Sequence, residues 1–158
     1  MRWLWLSVLV VILDQVSKFY VVKELSFQPP MELVSWLNLI IAHNTGAAFS
    51  FLGDAGGWQR WLFVVLASIV SIVLIVWIYK LPKNSYWLAC SLALILGGAV
   101  GNLIDRVRFG YVIDFIDFHI DTWHFATFNI ADTAISIGAV MLLVDAFFLT
   151  DHELETGK

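Results

Sequence analysis

Two stretches of this chain, WLFVVLASIVSIVLIVWIY over residues 61–79 and YWLACSLALILGGAVGNLI over 86–104, contain no charged side chain. About 20 consecutive apolar residues make enough helix to cross the hydrocarbon core of a bilayer. The rest of the chain offers no way to bury them elsewhere. Of 158 residues 60% are hydrophobic and only 14% charged, with a mean hydropathy of +0.83, where a soluble domain carries about 25% charged residues. So short a polymer cannot wrap this much apolar side chain and still show water a polar surface. The protein is therefore integral to a membrane, and one domain over 1–158 is the natural count.

Two further runs reach the same length with polar interruptions: 3–22, which holds Asp14, Gln15 and Lys18, and 130–149, with Asp132 near its start and Asp145 near its end. Four spans follow, and an even number puts both termini on one side. KLPKNS (80–85) is a tight reversal on that side, whereas 24–60 and 105–129 emerge on the opposite face. MELVSWLNLI suits an amphipathic helix lying on the bilayer surface with Trp36 at headgroup depth. GYVIDFIDFHIDTWHFATFNI is rich in Val, Ile, Phe, Tyr and Trp, which suits short strands, and IDTW marks a hairpin turn centred on Asp121–Thr122. The expected fold is a membrane all-α protein of four transmembrane helices, capped by a small unit of β structure and amphipathic helix. Positive charges do not orient it. Arg2, Lys80, Lys83 and Lys158 on the terminal side balance Lys23, Arg60, Arg106 and Arg108 on the other.

The scattered basic residues and net charge of −4 argue against nucleic acid as a partner. The single Cys90 allows no internal disulfide and reads as a small hydrophobe. The N-terminal run lacks a small-x-small cleavage site and continues into DQVSKFYVV, so it reads as a span rather than a removable signal.

Asp105, Asp114, Asp117, Asp121 and Asp132 all fall on the long-loop side. A carboxylate near the hydrocarbon boundary is costly unless it faces water, a cavity or a partner. NIAD places Asn129 as a helix N-cap with Asp132 at the third helical position, close to a capping box, where the helix dipole favours an anion. A cap is sufficient reason for Asp132, but the same geometry holds a carboxylate ionised while half out of water, as a general base requires. Asp114 lies between large apolar residues, where desolvation raises a carboxyl pKa. Facing each other, the two would share one proton and supply the acid and base that hydrolysis by an activated water needs. The hairpin brings them near, placing Asp114 opposite Asn129. Asp117 is the rival, but on a strand positions three apart point to opposite faces. Asp117 and Asp121 read as solvated loop acids.

Elsewhere the readings are structural. In GGAVGNLIDR (97–106), Gly97 and Gly101 fit a small-xxx-small packing face. Asn102 and Arg106 share a helix face toward the long-loop side, where Arg106 meets Asp105, another carboxylate or lipid phosphate. AHNTGAAFS (42–50) reads as a turn at Asn44 and Gly46. Asp14 and Lys18, i and i+4, form a neutralising pair. His43, His119 and His124 lack metal-ligand spacing, and Ser17–Lys18 and Ser50 offer no serine–lysine geometry. Two other classes stay open: a transporter carrying protons or cations on intramembrane acids, and a scaffold in which those acids are replaceable. The gathering of the acids on one side speaks against the first.

DQVSK (14–18), HNTGAAFS (43–50), GGAVGNLIDR (97–106), GYVIDF (110–115) and FNIADTAI (128–135) together resemble the lipoprotein signal peptidases, or signal peptidase II. The likeness covers nearly the whole chain in order and spacing. It implies an aspartic endopeptidase of the bacterial cytoplasmic (inner) membrane, with cytoplasmic termini and an outward-facing site. Such enzymes cut the signal peptide from prolipoproteins just before a diacylglyceryl-modified cysteine. On this resemblance the catalytic aspartates are Asp114 and Asp132. Asn44, Gly98, Asn102, Arg106, Asn129 and Ala131 support the substrate site, and Asp14 and Lys18 match the first-helix motif. It further implies a monomer that meets membrane lipid and prolipoprotein, is blocked by globomycin-type cyclic peptides, and needs neither metal nor cofactor. The stretch 43–57, with Gly53, Gly56 and Gly57, is expected to act as a lid.

Overall fold

The computed structural model describes residues 3–26, 28–46 and 56–149. Each apolar run is one helix: α1 (Leu4–Leu25), α2 (Gln59–Lys80), α3 (Tyr86–Arg108) and α4 (Ile130–Val144), the last continued by a π-helical turn, Asp145–Leu149. All four are long and apolar enough to cross a membrane. Trp61, Val65, Ile69, Ile72 and Val73 of α2 are exposed, an arrangement that only lipid can solvate.

The bundle is built around α3, which packs against α1, α2 and α4 and has ten of its 23 residues buried. Leu92, Ala93 and Leu96 of α3 meet Leu74 and Ile78 of α2 in the core. In lipid the helices gain nothing from leaving the solvent, so association rests on close contact and interhelical hydrogen bonds. A Cβ on Gly97 would sit 2.7 Å from Val10 Cβ, and one on Gly101 would sit 2.7 Å from Asp14 Oδ2, so both glycines face α1 as their spacing predicts. Gly98 faces α4, and a Cβ there would overlap the carbonyl oxygen of Ala131. Ser7 Oγ donates to the Ala93 carbonyl at 2.8 Å, joining α1 to α3, and Trp87 Nε1 donates to the Met141 carbonyl at 2.8 Å, joining α3 to α4.

The chain between α1 and α2 and that between α3 and α4 meet in one antiparallel sheet at the end of the bundle where α1 and α3 finish and α2 and α4 begin. Its order is β1 (Met31–Val34), β2 (Leu37–Asn44), β3 (Val112–Ile120), β4 (Trp123–His124). Here the expected amphipathic helix over MELVSWLNLI is corrected: these residues form a β-hairpin. The reason is tertiary. β3 presents a row of backbone donors and acceptors that β2 satisfies, in the register Asn38↔Asp117, Ala42↔Asp114 and Asn44↔Val112. Trp36 sits in the turn, its ring against Phe118 at 5.7 Å and its carbonyl accepting from His119 N–H at 3.0 Å.

The second hairpin turns where the sequence places it. Ile120 pairs with Trp123, and Asp121 takes a left-handed backbone, φ 52°, at the tip, a conformation Asp tolerates better than most residues. The return strand then slips by one residue, so that Phe128 pairs with Ile116. α3 runs four residues past its expected end at 104. Arg106 and Arg108 occupy its last turn, where cations suit the helix dipole. Arg60 Nε and Nη2 hydrogen-bond the terminal carbonyls of Arg106 and Val107, each at 2.9 Å.

Candidate active site

The start of α4 organises the site. Asn129, fully buried, has extended backbone; its Oδ1 accepts from Asp132 N–H at 2.9 Å, and Asp132 Oδ2 accepts from Asn129 N–H at 3.2 Å. This reciprocal capping box is the one the NIAD pattern predicts. It leaves Asp132 Oδ1 to turn outward, and that oxygen takes a 2.7 Å hydrogen bond from Asn102 Nδ2 of α3.

Asp114 comes from β3, 2% exposed. Cross-strand pairing puts it beside Ala42, on the sheet face that carries Asn44, while His43 and Ile113 point to a separate cavity on the other face. Asn129 Nδ2 donates to Asp114 Oδ1 at 2.7 Å and Asn44 Nδ2 donates to Oδ2 at 2.9 Å. Burial pushes the Asp114 carboxyl up to about 6; the Asn44 hydrogen bond restrains the rise, the nearby Asp132 charge adds to it, and Asn129 and Lys18 oppose it. Each of the two carboxylates is thus held by two N–H donors, and Asn129 serves both.

Both carboxylates line one cavity of about 580 Å³, walled by α3 at Asn102 and Arg106, by β3, by 125–128, and by α4 from Asp132 to Ile137. Arg106 donates through Nη2 to the Gly46 carbonyl at 2.8 Å, its guanidinium 5.0 Å from the centre of the Phe63 ring and within electrostatic reach of Asp132 and Asp114. Gly46 N–H in turn donates to Asn44 Oδ1 at 3.0 Å, which points Asn44's amide nitrogen at Asp114.

Behind the site lies a buried ionic cluster. Lys18 Nζ is 2.8 Å from Asp14 Oδ2 and 2.8 Å from Asp105 Oδ2. Asp14 Oδ1 accepts from Ala131 N–H at 3.0 Å, and Asp105 Oδ2 accepts from Ile113 N–H at 3.1 Å. Gln15 Nε2 donates to Asp105 Oδ1 at 2.8 Å. The expected Asp14–Lys18 pair is therefore a triad that pins α1, α3, β3 and the start of α4 together.

Every described residue singled out for support has a place in this arrangement: Asn44, Asn102, Arg106 and Asn129 as hydrogen-bond donors, Gly98 and Ala131 at the α3–α4 contact. Asp105 belongs to the ionic cluster. Asp117 is a correction: it is 3% exposed rather than solvated, because His124 Nδ1 lies 2.9 Å and 3.0 Å from its two oxygens and Asn38 Nδ2 donates to it at 3.4 Å. Asp121 is exposed at the hairpin tip. The three histidines do not converge: His43 lies against Tyr111, ring centres 4.2 Å apart, while His119 and His124 stack on each other at 5.1 Å. Sequence reasoning missed Gln15 and Arg60, whose partners are 90 and 46 residues away. It also missed Thr133 and Ser136, whose polar side chains three apart on α4 face the cavity and carried that signal. Gly53 and most of 43–57, the expected lid, lie outside the described residues, as does Ser50.

Fold and site together define a four-span membrane protein with a carboxylate-lined cleft at one end of its bundle. Residues 6–148 match the family model of signal peptidase (SPase) II. The chain is 51% identical over 156 residues to the lipoprotein signal peptidase of Acinetobacter baylyi, covering 99% of this chain and 87% of the relative. It is 54% identical over 149 residues to that of Pseudomonas fluorescens (strain Pf0-1), covering 93% and 88%. A bacterial membrane enzyme solved by the in meso method at 2.3 Å superposes with a TM-score of 0.82 at 32% identity, covering 99% of this chain and 93% of that one. The chain belongs to the signal peptidase II family.

Proposed function

We propose that this protein is the lipoprotein signal peptidase of a bacterial inner membrane, an aspartic endopeptidase that removes the signal peptide from diacylglyceryl-modified prolipoproteins by cutting before the lipidated cysteine. The observation that carries the reading is the pair of buried carboxylates, Asp114 and Asp132, joined through Asn129 on one cavity at the end of the bundle. Termini are cytoplasmic and the cleft faces outward. The substrate's acyl chains stay in the bilayer while its scissile peptide lies at the level of the cavity.

Asp132, held as an acceptor by Asn102 and its own helix cap, takes a proton from water as the water oxygen attacks the carbonyl carbon. Asp114 carries the other proton, consistent with its raised pKa. It polarises the carbonyl and then gives that proton to the amine as the C–N bond breaks. The pair ends the cycle as it began, with one proton between them. Asn44, Asn102, Asn129 and Arg106 orient the two acids and the substrate backbone.

Cleavage of a diacylglyceryl-modified prolipoprotein by the wild type, Asp114→Asn and Asp132→Asn tests this. Activity is expected to persist with a chelator and to vanish in both variants. Cleavage retained by either variant removes the dyad.

A further inference from the structure

Lys18 sits in the ionic cluster, but two salt bridges do not exhaust it. An ammonium group has three N–H bonds and no acceptor. Two salt-bridge contacts, to Asp14 Oδ2 and Asp105 Oδ2, lie at 2.8 Å each, and a third partner, Asn102 Oδ1, accepts an N–H at 3.2 Å. Asn102 is the residue whose Nδ2 donates to Asp132. A side-chain amide can turn over and exchange its oxygen for its nitrogen. Turned over, Asn102 would set a carbonyl oxygen against the Asp132 carboxylate, which is repulsive unless that carboxylate is protonated. Something must decide between the two orientations. Asn129 Nδ2 also reaches Asn102 Oδ1, at 3.2 Å, but its two hydrogens are contested by Asp114 Oδ1 at 2.7 Å and the Ile113 carbonyl at 3.3 Å. Lys18 is buried and cannot accept, so it tolerates only the oxygen.

We propose that Lys18 is a positioning residue for the reaction: its third N–H locks the Asn102 amide so that Asp132 always meets a donor and stays ready to take a proton from water. This rests on the aspartic reading above and assigns Lys18 a role in the chemistry besides its role in folding.

Removing Lys18 alone strands two buried acids, so the test uses the double variant Lys18→Met/Asp14→Asn. It leaves the cluster's net charge as it was, and the side-chain amide oxygen introduced by Asp14→Asn can still accept from Ala131 N–H. The expected result is a melting temperature above that of Lys18→Met alone, since one buried acid is stranded rather than two, with KM little changed, kcat at neutral pH lower by about tenfold, and the acid limb of the kcat–pH profile moved up by about one unit. A lysine acting only through its charge or its packing would move that limb equally whether methionine or glutamine replaced it in the Asp14→Asn background. Lys18→Gln/Asp14→Asn, which has the same net charge as the first double variant but an amide that can still donate to Asn102, is expected to keep the limb in place even if its stability falls. A Lys18→Met/Asp14→Asn variant with wild-type kcat and pH profile overturns the proposal, as does a limb displaced equally in Lys18→Gln/Asp14→Asn. Asp132→Asn is measured alongside. If it is inert while Lys18→Met/Asp14→Asn is unchanged, only the Lys18 role falls; if it cleaves, the aspartic reading falls first.

Discussion

Asp114 is a carboxyl group in a place that disfavours its charge, and this has consequences for stability as well as for the proposed catalysis. Its pKa lies near 6 in the folded protein against 3.8 for the free group, chiefly through burial. A raised pKa means that the fold prefers the protonated form, so the contribution is fully present below about pH 4 and is lost as pH rises through about 6. A shift of this size corresponds to about 3 kcal/mol. In detergent, wild-type stability is therefore expected to fall between pH 4 and 7 relative to Asp114→Asn, whose amide does not titrate. Melting temperatures measured in parallel across that range check it, and parallel curves for the two proteins would contradict it. Removing the Asn129 side chain strikes both acids, since it donates to one and caps the helix of the other. Asn129→Ala is expected to cost about 1–2 kcal/mol from the cap alone and to abolish cleavage, while Asn38→Ala, whose partner is Asp117, leaves cleavage intact.

At the scale of elements the site is sharply positioned because helices approach closely just beneath it. Gly98 of α3 lies against the Ala131 carbonyl, one residue before Asp132, and Ala131 N–H is tied to Asp14 of α1. The obstacle to a larger residue at 98 is backbone, which cannot swing aside as a side-chain tip can. Gly98→Ala is expected to destabilise by about 1–3 kcal/mol through overpacking and to lower cleavage further than that loss explains, because α4 must shift and carry Asp132 with it. Gly56→Ala is the contrast. A Cβ there meets nothing within 4 Å, and although its φ of 78° strains any side chain, only a modest stability cost follows, with kcat unchanged. Thermal melts and turnover on the same preparations decide both. The sheet has its own part, since the pairing of β2 with β3 delivers Asn44 and Asp114 to one face from positions 70 residues apart.

At the scale of the molecule, four lipid-facing helices hold a polar interior at one end and close it with a sheet. With the proposed orientation, the hairpin tip at Thr122 lies outside the cell. A Thr122→Cys variant in a Cys90→Ser background is expected to react with a membrane-impermeant maleimide added to intact spheroplasts; protection until lysis would reverse the orientation. The spans were legible in the sequence because a bilayer imposes a length and a composition on every helix that crosses it. So was the capping box, whose partners are three residues apart, and the turn at Asp121–Thr122, a local preference. The fate of MELVSWLNLI was not, because apolar residues in a ten-residue stretch suit an interfacial helix as well as a strand until β3 offers its edge. Nor was the burial of Asp117, which depends on His124 returning across the hairpin, nor the third partner of Lys18. What the sequence by itself determined are the features carried by neighbours along the chain: helix length, cap and turn. What only the tertiary structure decided is which distant groups share one hydrogen bond or one cavity, because those contacts form only when the helices pack against α3 and bring residues 14, 44, 102, 114 and 132 into the same few ångströms.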